Sequence, residues 1–102
     1  MSSYAWLITK DHLTEPGQGS SDAGINGPRD ATEEQLARLW IGEGHTFKLY
    51  DDDGELYYTG RLIADDMDDE DILCAPLDDF GSGWAGCTLV RWPGHSEWNC
   101  EG

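Results

Sequence analysis

Positive charge is scarce in this chain: six Lys and Arg stand against 21 Asp and Glu among 102 residues, a net charge of −15. So acidic a surface disfavours contact with bare nucleic acid or an anionic membrane, because both are polyanions. Apolar runs are short, and none approaches the ~20 residues that a membrane span needs. Residues 1–10 lack the basic start and apolar stretch of a signal peptide. Cysteine is limited to Cys74, Cys87 and Cys100, an odd number at wide spacing. That pattern predicts three free thiols in a reducing, cytoplasmic setting. No CxxC pair or HxxxH spacing joins them to His95, so a zinc site is not expected. Ser82, Cys87, His12 and His45 are loose catalytic ingredients without an elbow or ordered spacing, so no enzyme and no cofactor are expected.

What is present is a core. Hydrophobic residues make up 38% of the chain, with five Trp and four Tyr, which is too aromatic for a disordered segment. The length fits one domain over residues 1–102, burying roughly 65% of its unfolded surface. The clearest stretch is TFKLYDDDGELYYTGRLIA from Thr46. Two β-rich runs flank Asp51-Asp52-Asp53-Gly54, whose residue types suit a tight turn, so a β-hairpin is predicted. Phe47 and Leu49 share one face of the first strand, and Gly60 interrupts the second as a candidate bulge.

Strands are predicted over residues 4–9, 46–50, 55–64 and 87–92. Residues 14–30, rich in Gly, Ser, Asp and Pro, are expected to form a long mobile loop. Thr32-Glu33-Glu34-Gln35 fits a capping box, with Thr32 as N-cap. Leu36, Leu39 and Trp40 then follow at helical spacing, Glu34 and Arg38 can pair, and Gly42 is placed to end the helix. This helix is expected to pack on the Phe47 and Leu49 face of the sheet. Trp6 and Trp40 are assigned to the core. Residues 76–86 read as irregular, and the tail over 95–102 as either loose or a short edge strand.

Eleven of the 21 acids fall in three runs. Asp51, Asp52 and Asp53 form the first. An EF-hand reading fails there, because the ligand positions at the two ends of the loop would be Leu49 and Gly60. Asp65, Asp66, Asp68, Asp69, Glu70 and Asp71 form the second, a run that repels itself and must be a solvated loop or turn. It could hold a hard cation, but it lacks regular spacing and a turn glycine, so no metal site is assigned. Asp78 and Asp79 form the third. Carboxylates spaced along a surface can instead imitate phosphates and engage a basic groove. Trp84, in a Gly-rich stretch, is the candidate apolar anchor beside them.

Several segments recur in order: Ile8-Thr9-Lys10-Asp11-His12, Gly27-Pro28-Arg29, LYDDDGELYYTGR from Leu49, Pro76-Leu77-Asp78-Asp79-Phe80-Gly81 and Ala85-Gly86-Cys87-Thr88. Together they resemble a family of small acidic proteins encoded by actinobacteriophages and their actinobacterial hosts. The resemblance spans residues 4–92 and departs at Gly83-Trp84, where the family pattern has Pro-Asn. It implies an origin, and it carries no catalytic residues.

The expected fold is α+β, an antiparallel sheet of four to five strands with one helix packed on one face. The expected function is a binding protein in the host cytoplasm that engages a basic surface of a host protein, with nucleic-acid-binding proteins among the candidate partners and DNA mimicry or inhibition among the candidate actions. Direct contact with nucleic acid or membrane is not expected. The alternative is a housekeeping module whose acidity serves solubility alone.

Overall fold

A computed structural model describes residues 3–12 and 23–101. The hairpin forms as predicted. Strands β3 (His45–Tyr50) and β4 (Leu56–Ala64) flank a turn in which Gly54 takes φ +81°, a conformation that glycine adopts without a Cβ penalty. Asp51 organises that turn. Its Oδ1 accepts from the backbone N–H of Asp53 at 2.9 Å and of Glu55 at 2.8 Å.

Around this hairpin the described chain builds β1 (Tyr4–Asp11), β2 (Asn26–Gly27), α1 (Glu33–Trp40), α2 (Glu70–Pro76), β5 (Leu89–Arg91) and β6 (Cys100–Glu101). The six strands form one sheet in the order β2-β1-β4-β3-β5-β6, with every neighbouring pair antiparallel. The architecture is therefore α+β, with more strands and one more α-helix than expected.

Gly60 is not itself a bulge. The register shifts in β1 between Ile8 and Lys10, opposite Gly60 and Thr59. Gly60 is required for a different reason. A Cβ there would press on the ring of Phe47, its cross-strand partner, and stand 2.5 Å from the carbonyl oxygen of Leu7.

Both faces of the sheet carry helix. On one face Trp6, Ile8, Phe47, Leu49, Tyr58 and Leu62 meet Ile72, Leu73, Leu77 and Phe80. These last four come from α2 and from a π-helical stretch, Leu77–Ala85, that continues it. On the other face Leu39 of α1 packs with Ala5, Leu7 and Ile63. The stripe of α1 therefore buries against β1 and β4, not against Phe47 and Leu49. Pleating places Phe47 and Leu49 on a common face, and the sequence period does not say which helix covers it.

The capping box is present: Gln35 N–H donates to Thr32 Oγ1 at 3.1 Å, and Thr32 N–H to Gln35 Oε1 at 2.9 Å. Trp40 is corrected outward, with 60% of its surface exposed, beside Ile41 at 78%. Arg38 pairs with Glu43 at 2.8 Å rather than with Glu34.

The segment read as irregular, residues 76–86, is mostly helical. Its start signal lies inside the acidic run. Asp69 caps α2 by accepting from Asp71 N–H at 3.0 Å, and Glu70 and Asp71 favour the positive end of the helix. Pro76 lacks the N–H that the α ladder needs, and the chain passes there into the π stretch, which ends at Gly86 with φ +76°. Two cysteines expected to be free are joined. Cys74 of α2 and Cys100 of β6 form a disulfide with Cα atoms 5.6 Å apart, and Cys87 alone is a free thiol. The Cys74–Cys100 bridge removes the ground for placing the chain in a reducing compartment. Of the two readings of the tail, the edge strand is realised, since β6 pairs with β5 through Leu89–Glu101 and Val90–Cys100. Within the predicted loop, residues 14–22 lie outside the described residues. Asn26 and Gly27 pair with Leu7 and Trp6.

Candidate functional site

The three acidic runs differ in what their carboxylates already do. Asp51 is buried by its turn, and its carboxyl is held below the usual carboxylate range. The backbone N–H of Glu55 contributes most to that shift, followed by the Tyr57 hydroxyl and the Asp53 and Gly54 amides, while burial opposes it. Asp52 and Asp53 are exposed, and oxygens of the three side chains lie within 4.8 Å of one another. The Asp51 share of that oxygen cluster is already spent on the turn.

The second run splits into a turn and a helix start. Asp65, Asp66, Asp68, Asp69, Glu70 and Asp71 are all exposed, while Met67 tucks against the core. Asp66 Oδ1 accepts from Asp68 N–H at 2.9 Å, so Asp66 and Asp69 shape the chain. Asp65, Asp68, Glu70 and Asp71 make no side-chain hydrogen bond or ion pair among the described residues.

Asp78 and Asp79 stand exposed on the π stretch. Asp79 is a structural link: it accepts from the Tyr4 hydroxyl at 2.7 Å and the Trp6 indole N–H at 3.0 Å. Tyr4 is accordingly held well above its ordinary value, by burial first and by the Asp79 carboxylate next. Asp78 makes no such bond among the described residues. The side chain of Trp84 lies outside the described residues. The large apolar side chains exposed among them are Trp40 and Ile41.

The structure brings two runs together and leaves one apart. The second and third runs share the continuous turn and helical segment that begins at Asp65 and includes α2 and the π stretch. The first run sits at the opposite end of β4, whose nine residues span about 30 Å. Among the described residues the ion pairs are Arg38–Glu43 and His95–Glu97, so none of the eleven acids is neutralised by a cation.

The sequence reading passed over the cations. Lys10, Lys48, Arg61 and Arg91 are far apart along the chain, and pairing across four strands places them on one face of the sheet. No helix among the described residues is long and apolar enough to cross a membrane. Comparisons with family models, curated proteins and solved structures find no match, so the functional reading rests on these residues.

Proposed function

We propose that the protein is a small acidic binding protein, of actinobacteriophage or actinobacterial type, that engages a basic surface of a host protein. The contact is made by Asp65, Asp66, Asp68, Asp69, Glu70, Asp71, Asp78 and Asp79. Asp51, Asp52 and Asp53, at the far end of β4, add to the long-range field rather than to the contact. The observation that carries this reading is a run of exposed carboxylates, none in an ion pair among the described residues, along one continuous segment. Fixed negative charge on a folded segment attracts Lys and Arg without ordering cost at the moment of contact. Where the partner binds nucleic acid, these carboxylates take the place of phosphates, and the protein acts as an inhibitor. Individual surface ion pairs are weak, so affinity needs many charges and an apolar anchor.

The test separates steering from folding. Asp66, Asp69 and Asp79 are left intact because they cap or hydrogen-bond. The variant D65N/D68N/E70Q/D78N removes four charges that no described bond uses. A partner is captured from host lysate, identified, and its association rate measured over a salt series. The rate is expected to fall about tenfold at low salt, with the difference closing as salt rises. An unchanged rate at every salt concentration assigns the acidity to solubility alone, the housekeeping reading.

A further inference from the structure

Four of the six Lys and Arg occupy one sheet face in a chain of net charge −15. Arg91 stands directly opposite Lys48, Lys48 opposite Thr59, and Thr59 opposite Lys10, forming one row across β5, β3, β4 and β1. At the usual strand spacing that row is about 14 Å long. Helix α1 covers only the end of this face formed by Ala5, Leu7 and Ile63. Arg61, in the next row, is committed there, donating to the Leu39 carbonyl at 3.1 Å. Lys10, Lys48 and Arg91 make no ion pair with a carboxylate among the described residues.

That placement costs stability. Like charges directly opposite in a ladder repel, and here 21 acids were available as partners. The His12 ring, which bonds Thr59 Oγ1 at 2.8 Å, is held below its ordinary value by burial first and by Lys10 and Lys48 next, with Asp11 opposing. Arg91 is offset by the Tyr50 ring beneath it, whereas Lys10 and Lys48 break this local rule with no ion pair among the described residues, which marks them as positions kept for something outside the chain.

The surroundings of Lys48 and Arg91 define what that something is. They line an open cleft of about 510 Å³ with Tyr50, Pro93, Gly94, Ser96 and Asn99. Arg91 is held over the Tyr50 ring, its guanidinium carbon 5.3 Å from the centroid. Asn99 spends its Oδ1 on the Trp92 backbone N–H at 2.9 Å, which leaves its amide NH₂ as a donor. Among the described residues no Asp or Glu lines the cleft. Two cationic side chains, two that carry hydroxyls and one amide line it.

We propose that this cleft binds a small phosphate-bearing ligand, a phosphate monoester, with Lys48 and Arg91 neutralising its charge and Tyr50, Ser96 and Asn99 donating to its oxygens. A phosphate carries close to two charges and three strong acceptor oxygens, which matches two cations and three neutral donors. A single carboxylate offers half that charge and one oxygen fewer. The site uses the sheet face that α2 does not cover, so it is independent of the acidic contact.

The test is a titration of the folded chain with inorganic phosphate, read by backbone amide chemical shifts, against sodium chloride of equal ionic strength. Saturable shifts centred on Lys48, Tyr50, Arg91, Ser96 and Asn99 are expected with phosphate and not with chloride. Lys48→Thr and Arg91→Thr should each weaken binding about tenfold or more. Lys48→Thr should also hold or raise the thermal midpoint, since it relieves the repulsion, and this separates lost binding from lost folding. The proposal is overturned if chloride reproduces the shifts, if both variants bind within twofold of the parent, or if a glutamate-rich peptide occupies the cleft and phosphate does not.

Discussion

Breaking the Cys74–Cys100 bridge should remove a large share of the stability of this domain. The bridge spans 26 residues and ties α2 to the edge strand β6, which otherwise holds to the sheet through two residue pairs. Closing a loop of that length restricts the unfolded chain by about 3.5 kcal/mol in the chain-entropy account. A domain of this size has a total stability of roughly 5–15 kcal/mol. Each kcal/mol moves the midpoint of a domain this size by about 4–8 °C, so the double variant C74S/C100S should melt about 14–28 °C lower. Urea unfolding with and without reductant measures the same difference on the unmodified chain. Thiol labelling checks the pairing directly: denatured, unreduced protein should take one label, at Cys87, and reduced protein three. In the folded state even that label should add slowly near neutral pH, because burial pushes the Cys87 thiol up to about 11, with Asp51 adding to the effect. Three labels without reductant, or a midpoint unmoved by C74S/C100S, would refute the bridge and the anchoring of β6.

Two further substitutions probe the core and the hairpin turn. Trp92→Ala should cost about 3–5 kcal/mol, because the ring is 1% exposed and packs against Phe47 and Trp98, whereas Trp40→Ala should stay within about 0.5 kcal/mol. Equal losses in urea unfolding would show that Trp40 is not the outward residue described. Asp51 has a depressed carboxyl in the folded state, so its contribution is present above the unfolded value near pH 4 and is lost as pH falls through the folded one. Asp51→Ala should therefore melt below the parent at pH 7 and converge with it in acid; a gap that does not change between those conditions would refute the turn's dependence on the carboxylate.

Much of the fold was legible where the deciding physics is local. Asp51 and Gly54 mark a turn because one can bond its own backbone and the other tolerates positive φ, and both act over four residues. Thr32 and Gln35 mark a helix start because their reciprocal bonds span one turn. Helix α2 was missed although its cap was visible at Asp69. The acids that favour a helix N-terminus also read as a solvated loop, and Pro76 with the following glycines pointed to irregular chain. The apolar spacing of Ile72, Leu73, Leu77 and Phe80 was the signal against that reading.

The sequence by itself determined the charge imbalance, the hairpin, the capping of α1 and the exposure of the second acidic run, since each depends on residue type and near neighbours. Only the tertiary structure decided which sheet face each helix covers, that Cys74 meets Cys100, that the first acidic run stands apart from the other two, and that Lys10, Lys48 and Arg91 share a row. These depend on strand order and register. Antiparallel pairing sets side by side residues that are tens of positions apart, and a slip of one residue would turn the same side chains to the opposite face.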